Sequence, residues 1–303
     1  MNLIKQLPIP ISGLILALVS TGILLQDINP YLKYIFGTIG VILIISLMLK
    51  VILYPGEVKN DLKNPIILSS SGTFSMSLML LSTYFTGFSS SFAFAIWIIG
   101  VALHILLMIY FTYRFIIREF NISTVYPTWW IVYVGITMGS ITAHFFGLSK
   151  IDHIFFAIGF ISMIWTTPLV VYRYIKYSNI PDMNKPLVCI FTALYSILIV
   201  GYANSAELIS NEFIFGLYAL SCLFYIFAIY KFISYNKLDF YPSFSAFTFP
   251  FVISTSATKE IVKISSNLMI NNLLTIETAI ATLLVVYVLI RYIKFLKIVG
   301  SRN

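Results

Sequence analysis

Five prolines recur along this chain at nearly equal intervals, and each opens an apolar run. They are Pro10, Pro65, Pro127, Pro186 and Pro242, separated by 55, 62, 59 and 56 residues. Each interval holds two apolar runs, and a run of roughly 20 residues is what a helix needs to cross a bilayer. A repeat of this kind predicts five tandem helical hairpins, and the odd number of repeats favours a ring.

The composition places these hairpins in a membrane. Hydrophobic residues make up 59% of the 303 residues and charged residues 10%, whereas soluble domains carry about 25% charged residues. We therefore predict an all-α membrane protein with ten transmembrane helices, forming a single transmembrane domain over residues 1–303. The same composition strongly disfavours a water-soluble enzyme.

The apolar runs set the bounds of the ten predicted spans. The connections between them are short, so no second, soluble domain is expected. The first run is not followed by a small-residue cleavage site, and we predict a retained span, not a signal peptide. The predicted spans are 9–26, 31–54, 65–86, 91–117, 127–147, 153–175, 186–205, 212–233, 242–262 and 273–297.

Basic residues are distributed unequally between the two ends of these spans. Fifteen of the 19 lysines and arginines, Arg302 among them, fall on the side where the odd spans begin, which we call the basic side. Basic residues concentrate in cytoplasmic loops. We therefore predict a multi-pass protein of the cell's inner (plasma) membrane with both termini in the cytoplasm. The formal charge of +8 follows from the same bias, and no nucleic-acid partner is predicted.

Odd and even spans differ in their side chains. The odd spans hold more than twice as many serines and threonines as the even spans. One interpretation is close helix packing, since small residues let membrane helices approach and hydroxyls bond back to their own helix. The other is an inner ring of odd helices that lines a polar path, wrapped by an outer ring of even helices. The pattern favours neither interpretation over the other.

The chain offers little for catalysis. Nearly all of its 11 carboxylates fall in loops or at span ends, and none is placed convincingly at mid-span. Paired acidic motifs, a phosphate-binding loop, zinc-ligand spacing and a nucleophile elbow are all missing. The isolated histidines His104, His144 and His153 are more typical of packing residues than of ligands. We predict no enzyme, no catalytic residue, no metal and no cofactor, and tight ion coupling is weakly disfavoured.

The odd spans present helix N-termini on the basic side. Unpaired backbone N–H groups and the positive dipole end attract anions there, and proline costs nothing in a first turn. Without an acidic ring, a path for small inorganic or organic anions fits better than a cation path, although backbone carbonyls would also serve a cation. The predicted pore-lining residues are Ser12, Ser70, Thr73, Ser77, Thr137, Ser140, Thr192, Ser196, Ser245, Thr248 and Val252.

Two prolines fall inside spans. Pro168 lies within the sixth span and Pro250 within the ninth, where an interior proline removes one backbone hydrogen bond and bends the helix. Such a kink at Pro250 is able to aim the neighbouring Phe249 inward. Phe249 is one of 26 phenylalanines, however, and the pattern alone favours a packing role for it.

The ninth span also carries a resemblance. Its sequence, DFYPSFSAFTFPFVISTSAT, resembles the corresponding span of the TehA-like family. This family includes tellurite-resistance proteins, fungal malic-acid transporters and plant slow anion channels. The stretches LPIPISG, NPIILSSSGTF and YPTWWIVYVGITMGSITA are similar to the starts of the family's first, third and fifth spans. Each stretch is weak alone, but their order along the whole chain is fairly specific. We identify the chain with this family, and with its tellurite-resistance branch.

The resemblance implies a structure and an activity. It implies ten helices in five hairpins, a pore through the odd helices, and a homotrimer in which each protomer has its own pore. The second phenylalanine of AFTFP, Phe249, occupies the place of the family's gate. The first span, SGLILALVS, lacks the extra glycines and second proline common in the family, so we expect a straighter helix and a narrower pore there.

Two functions remain open at this point. The leading hypothesis is a passive channel for small monovalent anions with a neutral, hydroxyl-lined pore and a gate at Phe249. The alternative is a secondary transporter or exporter of C4-dicarboxylates or tellurite-like oxyanions. A membrane enzyme that acts on lipid and a structural or receptor-like protein are disfavoured, the first by its missing catalytic set and the second by its small extramembrane surface.

Overall fold

The computed structural model describes residues 2–205, 209–265 and 267–301, and every regular element in these ranges is helical. Two charged residues counted in the sequence, Glu207 and Arg302, lie outside the described residues. Ten helical segments overlap the ten predicted spans. They are α1 (Ile11–Leu25), α2 (Pro30–Leu53), α3 (Pro65–Ser70 and Gly72–Ser82), α4 (Ser90–Phe111), α5 (Thr128–Tyr133 and Thr137–Ala143), α6 (Ile151–Lys176), α7 (Ile190–Ser205), α8 (Asn211–Tyr235), α9 (Phe249–Ile264) and α10 (Leu268–Ser301).

Shorter turns join or extend these segments. Two 3₁₀ turns, Asp182–Cys189 and Pro242–Phe247, lead into α7 and α9, and we count them with those segments. A π-helical turn, Thr112–Arg118, extends α4. The remaining short elements are Asn2–Lys5, Pro55–Asp61, Ile122–Thr124 and His144–Phe146.

The prediction of an all-α membrane protein is confirmed. Among the described residues, eight helices are long and apolar enough to cross a membrane, and α1 is a shorter apolar helix of 15 residues. The ninth segment, α9, has 16 residues. That α1 and α9 also cross the bilayer, which would make ten spans, stays a prediction.

The segments pack in two patterns. Each odd segment packs against the even segment that follows it, from α1 with α2 to α9 with α10. Each odd segment also packs against the next odd segment, and α9 packs against α1. The odd segments therefore have neighbours on several sides, while the even segments have one side left for lipid.

Burial separates the two kinds of segment. In the most apolar stretches of α3, α5 and α7, between 67% and 83% of the residues are buried. In α2, α4, α6, α8 and α10 the corresponding share lies between 22% and 33%. Large apolar side chains on the even segments, such as Ile52 and Leu106, are more than half exposed. An exposed apolar surface of this kind suits contact with lipid, because it gains nothing from water.

The five repeated prolines lie at the beginnings of the odd segments. Pro65 is the first residue of α3, which is capped by Asn64, whose side chain accepts from the N–H of Ile66 at 2.9 Å. The other four lie directly before α1 and α5 or within the turns that lead into α7 and α9: Pro10, Pro127, Pro186 and Pro242.

Pro250 lies in the first turn of α9 and not inside a continuous helix. The turn that leads into α9 ends at Phe247, and Thr248 has φ −115° and ψ −87°, outside helical values. Because α9 begins anew at Phe249, the missing N–H of Pro250 leaves no helical hydrogen bond unmade. The sequence predicted a bent span, whereas the structure has a broken one, and the break directly precedes Phe249. Pro168 does lie inside its helix, α6.

Candidate functional site

A cavity opens at the basic side, where the odd segments begin. It encloses about 760 Å³, including space open to solvent. Every odd segment contributes to its lining, and the described even segments contribute none of it. In the order α1, α3, α5, α7 and α9, the lining includes Pro10 and Gly13; Ser70 and Thr73; Trp130 and Gly135; Leu187 and Ile197; and Ser245, Phe249 and Pro250.

The wall of this cavity is mostly apolar, and its polar groups are hydroxyls. Ser70 Oγ donates to the carbonyl of Ile67 at 2.8 Å. Thr73 Oγ1 lies 2.7 Å from the carbonyl of Ser70 and 2.8 Å from Ser12 Oγ of α1. A hydroxyl has a single proton to donate, so these groups must rotate away from the backbone before they solvate an anion. The cavity thus has a neutral surface, and its hydroxyls are able to donate either to the backbone or to an anion.

A second cavity opens at the opposite ends of the odd segments, which we call the far side. It encloses about 1100 Å³, including open space, and again all five odd segments line it, together with Lys33 of α2. Its wall carries four charged residues: Lys33, Lys259, Glu260 and Lys263. Lys263 pairs with Glu260 at 2.7 Å, and Lys259 pairs with Asp27 at 2.6 Å. This cavity is therefore charged where the other is neutral.

The linings of the two cavities are three or four residues apart along four of the odd segments and seven residues apart along α1, from Gly13 to Ser20. Along α9 the lining passes from Pro250 on the basic side to Ile253 on the far side. The same step is three residues along α5, from Gly135 to Met138. At about 1.5 Å of rise per residue, the step along α9 is roughly 4.5 Å, less than one helical turn.

Phe249 lies next to this step. It lines the basic-side cavity directly before Pro250, which is the last α9 residue in that lining. Only 6% of the surface of Phe249 is exposed. Val252, which is fully buried, falls within the step between the two cavities, as does Ser77 of α3. Ser77 Oγ donates to the carbonyl of Phe74 at 2.7 Å.

Of the hydroxyls that the sequence singled out, Ser70, Thr73 and Ser245 line the basic-side cavity. Others join neighbouring segments. Ser140 of α5 donates to the carbonyl of Gly201 in α7 at 3.2 Å, and Thr248 lies 3.5 Å from the carbonyl of Gly13 in α1. These contacts fit the packing interpretation of the odd-span hydroxyls as well as the pore interpretation.

A hydroxyl cluster holds α7, α8 and α9 together. Ser196 lies 2.8 Å from Ser221 of α8 and 3.2 Å from Ser254 of α9, and Thr192 lies 3.3 Å from Ser254. Thr137 contacts glycines of α6 and α7, and its hydroxyl is buried without a hydrogen-bond partner. Thr137, Thr192 and Ser196 thus face other segments, and their pore-lining role stays a prediction.

His104 fixes α4 against two odd segments. It is fully buried, its Nδ1 lies 2.8 Å from Ser75 Oγ of α3, and its Nε2 lies 3.1 Å from the carbonyl of Val132 in α5. Both ring nitrogens therefore have protein partners, which is the arrangement of a packing histidine. Among the described residues no group of three or more metal-ligating side chains comes together.

Glu277 is the residue that the sequence analysis missed. It is the tenth residue of α10 and is 2% exposed, so it is an exception to the placement of carboxylates at span ends. It lies where α8, α9 and α10 meet, near Tyr218, Tyr225 and Thr258, and its Oε2 has no hydrogen-bond partner. Its only signal in the sequence was a position five residues into the predicted span 273–297, which looks like a span end.

Long apolar helices, closely packed odd segments and two facing cavities define an all-α, multi-pass membrane protein. A comparison with protein families matches residues 6–293 to the family described as voltage-dependent anion channel. The chain belongs to this family, and its members are anion channels or transporters, not enzymes. No curated protein matches the chain. The family-level resemblance is confirmed, while the tellurite-resistance branch stays a prediction.

Proposed function

We propose that this protein is a passive channel for small monovalent anions, with a path through both cavities and a gate at Phe249. One observation carries the proposal: two cavities on opposite sides are each lined by all five odd segments, and along α9 their linings are separated only by the step from Pro250 to Ile253, next to Phe249. The odd segments would then form an inner ring around the path, with the even segments outside.

The basic-side cavity supports conduction more than tight binding. Its lining holds no lysine, arginine, aspartate or glutamate among the described residues, and its polar groups are hydroxyls such as Ser70 and Thr73. A conducting site must bind an ion well enough to admit it and weakly enough to release it. A neutral wall with hydroxyl donors meets both conditions.

The helix ends support an anion as the permeant ion. Helices that begin at the basic side direct unpaired N–H groups and positive dipole ends toward that cavity. At the far side, three lysines and one glutamate line the wall, and with Asp27, which pairs with Lys259, these side chains sum to a net charge of about +1 against the negative ends of the helices. A cation would meet a positive field at the basic-side mouth and would find no ring of acidic side chains among the described lining residues of the far side.

The test of the gate is the anion current of Phe249→Ala in planar bilayers or oocytes. Removing the ring opens space at the barrier, and we expect the current to rise by about tenfold or more, because a hydrophobic plug of phenyl size is worth several kcal/mol to the closed state. Phe249→Leu should give an intermediate current, since leucine fills part of the space.

Phe251→Ala is the matched control. Phe251 lies two residues further along α9, is fully buried, and packs against Tyr225 of α8 with ring centroids 5.4 Å apart. Its truncation costs packing but opens no space toward the basic-side cavity. A current for Phe249→Ala that equals wild type, at equal surface expression, would remove Phe249 as the gate.

We also propose a homotrimer, in the plasma (inner) membrane, with the basic side and both termini facing the cytoplasm. The excess of lysine and arginine on that side supports the orientation, and the family resemblance supports the trimer. Light scattering of the purified protein should give a protein mass near three chains. A mass of one chain would contradict the trimer without affecting the path within each protomer.

The second candidate is a secondary transporter of C4-dicarboxylates or tellurite-like oxyanions, and Glu277 favours it. A buried carboxylate inside a membrane segment is costly and is a candidate for proton coupling. The two candidates differ in one measurement, which is anion accumulation in vesicles under an imposed pH gradient. Accumulation beyond electrochemical equilibrium would exclude a simple channel.

Glu277→Gln sharpens this test. If Glu277 carries protons, glutamine should abolish accumulation driven by the pH gradient and leave downhill flux intact. If the protein is a channel, wild type and variant should both equilibrate and not accumulate. Thr258→Val serves as the neighbouring control, because it removes the nearby hydroxyl and keeps the carboxylate.

A further inference from the structure

A third concave surface lies apart from both cavities, at the basic side and on the outside of the bundle. This groove runs between the end of α2, the short helix Pro55–Asp61, and α4 with its π-helical turn, and it encloses about 760 Å³, including open space. None of its lining residues belongs to an odd segment. The groove is therefore no part of the path proposed above, and the inference does not depend on that path.

Three cations line the groove. They are Lys59 and Lys63, on and just after the short helix, and Arg114 of the π-helical turn. Arg114 Nη1 donates to the hydroxyl of Tyr110 at 3.1 Å, while its Nε is 3.8 Å from the carboxylate of Glu119, which is mostly exposed. A guanidinium keeps further N–H donors beyond these two contacts, so Arg114 is able to receive an anion.

The nearby carboxylates are engaged elsewhere. Asp61 pairs with the buried Lys50 at 3.1 Å, and Glu57 pairs with Lys5 at 3.3 Å. Neither carboxylate lines the groove, and no other aspartate or glutamate among the described residues does. With Glu119 beside Arg114 counted against the three cations, the groove keeps a net charge of about +2.

The rest of the groove is apolar. Val51, Val58 and Leu62 form part of its floor. On either side, the outer faces of α2 and α4 expose large apolar side chains, among them Ile52, Leu106 and Ile109, each more than 60% exposed. A ligand that matches this surface has an anionic head at the membrane boundary and apolar chains that continue along both helices.

We propose that this groove binds an anionic phospholipid from the leaflet on the basic side. Its phosphate lies among Lys59, Lys63 and Arg114, and its acyl chains lie against α2 and α4. Basic pockets between membrane helices at the cytoplasmic boundary hold lipid headgroups by the same combination of charge and apolar contact. A free phosphate would share the head chemistry but would make no use of the apolar floor.

The test measures lipid retained by the purified full-length protein, by native mass spectrometry after exchange into mixed micelles. Phosphatidylglycerol and phosphatidylcholine, with identical acyl chains, are offered in equal amounts. We expect wild type to retain phosphatidylglycerol in preference. Lys59→Gln, Lys63→Gln and Arg114→Gln combined should weaken that retention by about 100-fold, at roughly fivefold for each basic residue.

A matched triple variant controls for net charge. Lys237→Gln, Lys294→Gln and Lys297→Gln together remove three exposed cations from the same side of the protein, away from the groove. This variant should retain phosphatidylglycerol as wild type does. Each single groove variant should lose about fivefold, which keeps the test usable if the triple groove variant does not fold.

Three outcomes would overturn the proposal. The first is equal retention of the two lipids by wild type. The second is an equal loss in the groove and control triples, which would mean that net charge alone attracts the lipid. The third is full displacement of phosphatidylglycerol by millimolar inorganic phosphate, which would make the groove a site for free anions.

Discussion

The two cavities are built by the same five odd segments, yet one is neutral and the other is charged. On the basic side the lining holds hydroxyls and apolar groups, while on the far side it includes Lys33, Lys259, Glu260 and Lys263. Helix polarity explains the difference. Helix N-termini are already positive, whereas the C-termini at the far side are negative and need cations such as Lys263, in the last turn of α9, to offset them. The far-side lysines therefore offset the helix ends and their own paired carboxylates, whereas the basic-side cavity contains no charged side chain among its described lining residues.

The largest effect should come from placing a negative charge in the neutral cavity. Ser245 lines it and is 8% exposed, so Ser245→Asp sets a carboxylate beside the path. At about 4 Å and an effective dielectric of 20, two unit charges repel by about 4 kcal/mol. We expect anion current to fall by about 100-fold or more. Ser245→Asn, of equal size, is the control, and equal losses in both variants would show a steric cause.

A smaller effect should follow from removing positive charge at the far side. Lys259→Gln with Lys263→Gln leaves Asp27 and Glu260 without their partners. We expect the current to fall about fivefold at low salt and to recover at about 1 M salt, where the screening length is roughly 3 Å. Lys150→Gln, outside the lining of this cavity, should change little. A loss that persists at high salt would argue against an electrostatic role.

The smallest effect should come from narrowing the neutral cavity without changing its charge. A Cβ added at Gly13 would lie 3.1 Å from Ser245 Cβ, so Gly13→Ala tightens the contact between α1 and the turn before α9. We expect the current to fall about twofold, since one methyl group occupies little of the space. Gly216→Ala on α8, where an added Cβ meets nothing within 4 Å, is the control. An increase in current for Gly13→Ala would mean that this contact does not border the path.

Much of the fold was predictable because its signals are local. A proline in the first turn and an asparagine cap, as at Asn64 and Pro65, mark a helix start whatever surrounds it. Apolar length alone predicts membrane helices, and the hydroxyl bias separated odd from even segments before any contact was known. Pro250 was harder, because an interior proline and a proline that opens a new helix look alike in a sequence.

The direction of each side chain was less predictable. Ser70 with Thr73, and Thr192 with Ser196, are hydroxyl pairs on a single helical face, yet the first pair lines the basic-side cavity and the second binds to α8 and α9. The spacing tells which residues share a face, but it does not tell which neighbour that face meets. Glu277 was missed for the same reason, since only the packing of three helices buries it.

The sequence by itself determined that this is a membrane protein of repeated helical hairpins, that the odd and even helices differ, and which family it belongs to. These properties depend on composition, periodicity and local caps, all of which are set by residues close to each other along the chain. The tertiary structure decided that the odd segments share two cavities, that Phe249 lines one of them next to the step toward the other, and that three cations meet in a groove between α2 and α4. These properties depend on how each helix is rotated about its axis and where it meets the others, which only packing among all the helices sets.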